Sequence, residues 1–515
     1  MLSHKLIEIL SNKKTYWILI FLNLIVSITV FILNRNSLGG DYATYSSLAE
    51  GLLKGKYSMY YFLQEKFPDT YRNPGYPIFL AILKIFSPSI IFVQIVQLAI
   101  YFLTIIISIK ILNHYFNDND YIKNLFLFFL LININIVMLS TYFLPEILMS
   151  FLILFSFYFE LKFTKNNYFK FLFLGLLYGI IFQVRPIFLF FPILKVVIDF
   201  FLNRTNFKFI KYLTMIFIYF LSMIPFGLWN YFHHGVFKIT SLKGGAEVLN
   251  SGYWAQKIPN YEEHRSFGNM FYEEPLLFIN LKDKSRNIEN YNKEWDYIDS
   301  ASLKYLTNVD MFYKELKAEK KKADQFRKNL KEHHIYDSIS PSHKSIYSSI
   351  IGNKLKEHSI FDSIPITFSS RYTIEREKII LDVTLKDIIN DKEYVIKSKI
   401  YSAIRLWVTG IPLAKFRNAT LKVKLLLLCP MFLTGFIFLL SIIFIPIAFI
   451  KFKILYAKLH SILIIIIYFG LIHVPFVIQS RYTIPVRMLL LIVLSVSIYY
   501  VLFKPIVKDE ELIKS

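Results

Sequence analysis

The sequence holds one cysteine in 515 residues, Cys429, and it lies within an apolar run. That excludes a disulfide framework and a thiolate metal cluster. Acid is also short: 37 Asp and Glu stand against 59 Lys and Arg, a formal net charge of +22. In a soluble chain this excess would suggest nucleic acid. Here it reads better as basic loops facing the cytoplasm and anionic lipid, so no nucleic-acid partner is expected. The short alternating segments of a membrane barrel are missing, and so is any internal repeat. The start of the chain, 1–34, has a signal-like basic end. Its apolar run is long and no small-residue cleavage site follows, which predicts a retained first span.

What the chain has is apolar length: 55% of residues are apolar and 18% aromatic. Several runs exceed a soluble core helix, so the expected class is an all-α polytopic membrane protein. Hydropathy predicts about ten transmembrane helices, at roughly 16–33, 88–112, 124–140, 144–161, 170–184, 186–202, 211–230, 424–450, 460–478 and 484–503. The piece Tyr76–Phe86 is too short to cross alone and reads as re-entrant or as a short helix entering the second span.

Short-loop lysines and arginines, among them Lys13, Lys110, Lys162, Arg204, Lys451 and Lys504, fall on one side if Phe171–Leu202 is a hairpin turning at Arg185-Pro186. Both termini are then cytoplasmic, in a multi-pass plasma-membrane protein. The 34–74 loop runs against this bias, since it is outer yet holds Arg35, Lys54, Lys56, Lys66 and Arg72. The expected layout is a transmembrane module over 1–230, with surface helices in its first outer loop at 34–75. A mostly helical extracytoplasmic domain follows at 231–423, inserted before the last three spans, and 424–515 holds those spans and a short cytoplasmic tail. Within the domain, 310–334 reads as a charged exposed helix and 381–408 as an amphipathic helix nearing the membrane surface.

Chemistry-bearing residues gather on the predicted outer side. Asp41, in "GGDYATYSSLAEGLLKG", is either a helix cap or a carboxylate poised where water meets lipid. The helix after it would turn Tyr45, Leu48, Ala49 and Leu52 to the membrane surface. Arg72, in "TYRNPGYPIFLAIL", marks a rigid loop-to-helix junction or faces an anionic headgroup. Glu146, after Pro145, is costly at a span end unless it meets a cavity, a partner or the helix dipole. Arg185 in "QVRPIF" and Arg481 in "QSRYTIP" would snorkel by default. On Asp41's side, however, they suit a phosphate, because guanidinium binds phosphate bidentately. Tyr45, Tyr76 and Tyr482 are further candidates beside these residues. His233 and His234 are adjacent and lack a third spaced ligand, so ordinary interfacial polarity outweighs metal ligation.

The order of "GGDYATYSSLAEGLLKG", "RNPGYPIFLAIL", "LPEILMSFLIL", "GLLYGIIFQVRPIFLF", "IPFGLWNYFHHGVFKITSLKGGAEVLNSGYW" and "QSRYTIPVRMLLLIV" resembles the GT-C superfamily of polytopic glycosyltransferases. It is most similar to the bacterial branch related to dolichyl-phosphate-mannose–protein mannosyltransferases and lipid A aminoarabinose transferases. The resemblance spans about 1–255 and the final third. It implies transfer of a sugar from a polyprenyl-phosphate donor to an envelope glycan, lipid or protein at the bilayer's outer face. Asp41 would be the catalytic base, Glu146 would bind acceptor or metal, and Arg185, Arg481 and Arg72 would serve the lipid phosphate. No cofactor is certain. A divalent metal remains an option, weakened because Tyr42 stands where some relatives carry a second acid. Trp229-Asn230 also replaces the Arg-Asn of many relatives, and 260–375 has no counterpart. The rival readings are a lipid or sugar transporter and an envelope-assembly scaffold.

Overall fold

A computed structural model describes residues 8–35, 41–59, 61, 68, 70–163, 167–202, 207–254, 273–274, 288–305, 370–409, 411–412, 419–476 and 478–504. The regular structure of these residues is helical, apart from an antiparallel bridge of 273–274 with 411–412. The helices run α1 Lys13–Leu33, α2 Tyr42–Leu53, α3 Gly75–Phe86, α4 Ile90–Phe116, α5 Asp120–Ile132, α6 Ile134–Ser140, α7 Glu146–Lys162, α8 Tyr168–Val184, α9 Phe191–Leu202, α10 Phe209–Leu221 and α11 Ile224–His234. Then follow α12 Gly245–Trp254, α13 Ile288–Leu303, α14 Ser370–Asn390, α15 Lys392–Trp407, α16 Leu421–Lys451, α17 Lys453–His473 and α18 Ile484–Ile498.

Among the described residues, five helices are long and apolar enough to cross a membrane: Lys13–Leu33, Ile90–Phe116, Phe209–His234, Leu421–Lys451 and Ser480–Phe503. The bent pair α5 and α6 makes a sixth if it counts as one span. Their burial differs sharply. The most apolar stretch of Ser480–Phe503 is 89% buried and that of Lys13–Leu33 only 17%. A helix apolar on every side and enclosed by others is the bundle's central post; one with an open apolar surface faces lipid. Every residue of α18 from Ile484 to Ile498 is buried, so Arg481, just before it, stands at the centre of the bundle's end.

The Phe171–Leu202 run is a hairpin. Phe171 near the start of α8 meets the Tyr212 ring at 4.9 Å, and Tyr212 donates to Asp199 near the end of α9 at 3.0 Å. Proline at 186 opens the 3-10 turn, Pro186–Phe188, between the two arms. α8 packs on α10 through small residues: a Cβ on Gly175 would run into the Met215 carbonyl. Outside the bundle, α12, α13 and α14 share a second core of Ala246, Tyr253, Trp254, Tyr291, Trp295, Ile298 and Ile380.

Three expectations change. The 124–140 run bends by 66° at Asn133, which leaves helical geometry at ψ 62. The amphipathic 381–408 segment is two helices, parted at Asp391, which sits at φ −128. The α2 face is not spread on the membrane: Tyr45, Leu48 and Ala49 are buried against protein, with Tyr45 edge-on to Tyr76 and Leu48 beside Tyr57 and Phe226. The charged 310–334 segment lies outside the described residues.

Candidate active site

At one end of the bundle, side chains satisfy loop carbonyls, as buried backbone requires. In α4, Gln94 donates to the carbonyl of Thr141 at 2.7 Å and Gln97 to that of Tyr142 at 2.8 Å. These bonds fix the loop that delivers Glu146 as the first residue of α7. Tyr76 in turn donates to Gln97 at 3.2 Å. Gly75 brings the "RNPG" junction against α8: a Cβ there would lie 2.5 Å from the Gln183 backbone. Only glycine permits that approach, which holds the segment carrying Arg72 against the end of α8 that leads into Arg185. The Ser480–Thr483 turn carrying Arg481 is locked by Arg487, which donates to the carbonyls of Ser480 and Trp407 at 3.1 Å each.

This scaffold brings together five charged side chains from across the sequence. Asp41 is bonded on both oxygens, to Arg72 at 3.2 Å and to Arg481 at 2.8 Å. Glu146 lies 3.2 Å from Arg185, and its Oε1 is 3.9 Å from Arg481 Nε. Arg481 therefore bridges the two carboxylates. Asp41 stands at the N-terminus of α2 but makes no capping bond; its carboxylate turns to the arginines instead, which overturns the capping reading. Exposure is graded across the site. The Asp41 side chain is 28% exposed and Glu146 is fully buried at 0%.

Burial alone would push the Asp41 carboxyl up. The guanidiniums of Arg72 and Arg481 outweigh it and hold Asp41 below its usual value, ionised at neutral pH. Aromatic rings line the arginines. Arg72 sits 4.7 Å from the Tyr71 ring and 5.5 Å from Tyr45, while Arg185 sits 5.3 Å from Tyr482. Tyr482 stacks on His473 at 5.3 Å. Several polar atoms remain without a hydrogen-bond partner: both Glu146 oxygens, Arg481 Nε and Arg72 Nε. The Arg185–Glu146 contact is thus an ion pair lacking hydrogen-bond alignment.

Asp41, Glu146, Arg72, Arg185, Arg481, Tyr45, Tyr76 and Tyr482 converge here. His233 and His234 do not. His233 lies on the Trp229 ring at 4.1 Å, and His234 shares a hydrogen bond with Ser370 at 2.8 Å. Among the described residues no three His, Cys, Asp or Glu side chains are grouped to hold a metal ion. Two carboxylates separated by a guanidinium, with three arginines around them, fit an anion and not a divalent cation.

Residues beyond those predicted also build the site. Lys84 reaches Glu50 at 2.6 Å and Ser46 at 2.7 Å, tying α3 to α2. His473 backs Tyr482. A lysine inside the apolar 76–86 run was the available signal for the first, since ionisable residues in apolar segments are seldom idle. Comparison with protein-family models, characterised proteins and solved structures finds no match.

Proposed function

We propose that the chain is a membrane glycosyltransferase that moves a sugar from a polyprenyl-phosphate donor to a hydroxyl of an envelope glycan, lipid or protein. On this reading about ten segments cross the plasma membrane, both termini are cytoplasmic, and the charged cluster lies on the extracytoplasmic face beside the domain that selects the acceptor. One observation carries it: three arginines surround two carboxylates, the part-exposed Asp41 and the buried Glu146, at one end of the bundle, with one positive charge in surplus and donors left unused.

The chemistry follows from that arrangement. The donor phosphate is a good leaving group, so its departure needs no general acid. An acceptor oxygen attacks the anomeric carbon, and the carbon–oxygen bond to the phosphate breaks with its electron pair going to the phosphate. Asp41 takes the acceptor's proton, and attack opposite the leaving group inverts the anomeric centre. The arginines stabilise the charge growing on the phosphate. A carboxylate held by two guanidiniums is a weak base. The incoming phosphate competes for Arg72 and Arg481, and their partial release from Asp41 raises its basicity only in the donor complex.

The test is transfer from purified sugar-charged polyprenyl phosphate. Asp41→Asn should lower turnover by about 10²- to 10⁴-fold at unchanged expression. Full transfer by Asp41→Asn sinks the base assignment. No transfer by the wild-type chain across a panel of donors favours the transporter or scaffold reading.

A further inference from the structure

A pocket of about 480 Å³ opens between the segment after α11, helix α14 and Phe476. Val236, Leu242, Leu249, Ile374, Leu381 and Phe476 form its walls, and its charged groups are Lys238, Glu377 and Lys378, the last paired with Glu375 at 2.8 Å. Its place matters. Val236 follows the end of the Phe209–His234 apolar helix by two residues, and Phe476 follows the Lys458–His473 apolar helix by three. A half-open apolar pocket between two such ends meets the acyl chains and headgroups of a bilayer edge.

The polar groups then select by charge. Glu377 accepts from the backbone N–H of Gly244 on one oxygen and of Ala246 on the other, at 2.9 Å each. It is the fixed anchor of α12's first turn. Lys238 has no ion pair within the described residues, and its side chain is partly buried. Burial pushes its ammonium down, with Glu377 opposing, so an anion brought to it would be favoured. We infer that this pocket binds an amphipathic lipid anion, its chain along the apolar walls and its phosphate at Lys238.

The pocket is separate from the Asp41 cluster, but the 236–249 segment that lines it also touches the 71–73 segment beside Arg72. Asn73 donates to the Ile239 carbonyl at 3.3 Å, and Lys243 lies 5.8 Å from the Tyr71 ring that also meets Arg72. The inference stands on the pocket's own residues and does not depend on the transferase reading. Lipid phosphates come from two sources, an isoprenoid phosphate carrier or a glycerophospholipid of the bilayer, and the probes below tell them apart.

The full chain in nanodiscs would be illuminated with photoreactive polyprenyl phosphate, phosphatidylglycerol or uncharged diacylglycerol, and the labelled peptides mapped. Labelling of 236–249 and 370–390 by either anionic probe is expected, and the probe that labels identifies the source. Lys238→Gln should cut it about fivefold, the contribution of one lysine near anionic lipid. Leu381→Trp, at a position already 39% exposed, should fill the pocket and abolish labelling at an unchanged melting temperature. Should that variant misfold, Leu381→Phe serves instead. The proposal is overturned if neither anionic probe labels these peptides. It is equally overturned if diacylglycerol labels them as strongly and Lys238→Gln changes nothing.

Discussion

Helices α7 and α8 carry a charged cluster at each end. Glu146 opens α7 at one cluster and Glu160 nears its close at the other, about 21 Å apart along the axis. At the second cluster, Lys195 lies 2.7 Å from Asp199 and 3.1 Å from Glu160. Tyr212 donates to Asp199, and Lys170 donates to the Glu160 carbonyl at 3.0 Å. Two cations meet two anions, and among the described residues none of their side-chain atoms is buried without a partner. The Asp41 cluster has three cations for two anions and leaves Glu146, Arg481 and Arg72 atoms without hydrogen bonds. Balance and full satisfaction mark a structural clamp. Surplus charge with unused donors is costly to fold around, and it persists where a ligand completes it.

Substitutions at the two ends should therefore fail differently. Arg481→Gln removes the bridge between the carboxylates and, on the proposed transferase reading, a donor for the leaving phosphate. Turnover in the transfer assay should fall by about 10²- to 10³-fold with little change in melting temperature. Lys195→Met removes the cation shared by the buried Asp199 and the partly buried Glu160. It should cost about 3–5 kcal/mol of stability, read as lower yield and melting temperature, with turnover per folded molecule nearly unchanged. Replacing Lys195, Glu160 and Asp199 together by Met, Met and Leu should recover more than half of that loss, since no lone charge then stays buried. A large turnover loss in Lys195→Met would erase the distinction between the clusters.

Much of this was legible before the fold. Long apolar runs became helices, and the hairpin at Arg185-Pro186 followed from charge sidedness alone. Asp41, Glu146, Arg72, Arg185 and Arg481 could be named because each is an ionisable residue at an apolar segment's edge. Their direct pairing could not be read, because it joins positions as far apart as 41 and 481 through tertiary packing. The Asp41 cap failed for a related reason: local propensity favours capping, but two guanidiniums outcompete backbone N–H groups for a carboxylate. The Lys195 clamp was missed inside a run read only as apolar. Lys195 and Asp199 stand four apart on one helix face, the spacing at which an ion pair forms, and that pattern was the usable signal. The bend at Asn133 had no signal beyond an asparagine in an apolar run, a residue type that favours helix ends over helix interiors.

The smallest expected effect is a pH shift, and it probes the Asp41 end alone. Arginine pairing holds the folded Asp41 value below its unfolded one, near 3.9. The stability it contributes is thus present above about pH 4 and lost only as pH falls through the lower folded value. The free protein should show no acid limb from Asp41 above about pH 4 in kcat/KM. In the donor complex the phosphate draws on Arg72 and Arg481, so the acid limb of kcat should lie at higher pH, by about one unit. Profiles at limiting and saturating donor separate the two states. Coincident limbs would mean that the arginines stay on Asp41 throughout turnover, leaving it a fixed counter-ion and moving the search for the base to another group in the cluster.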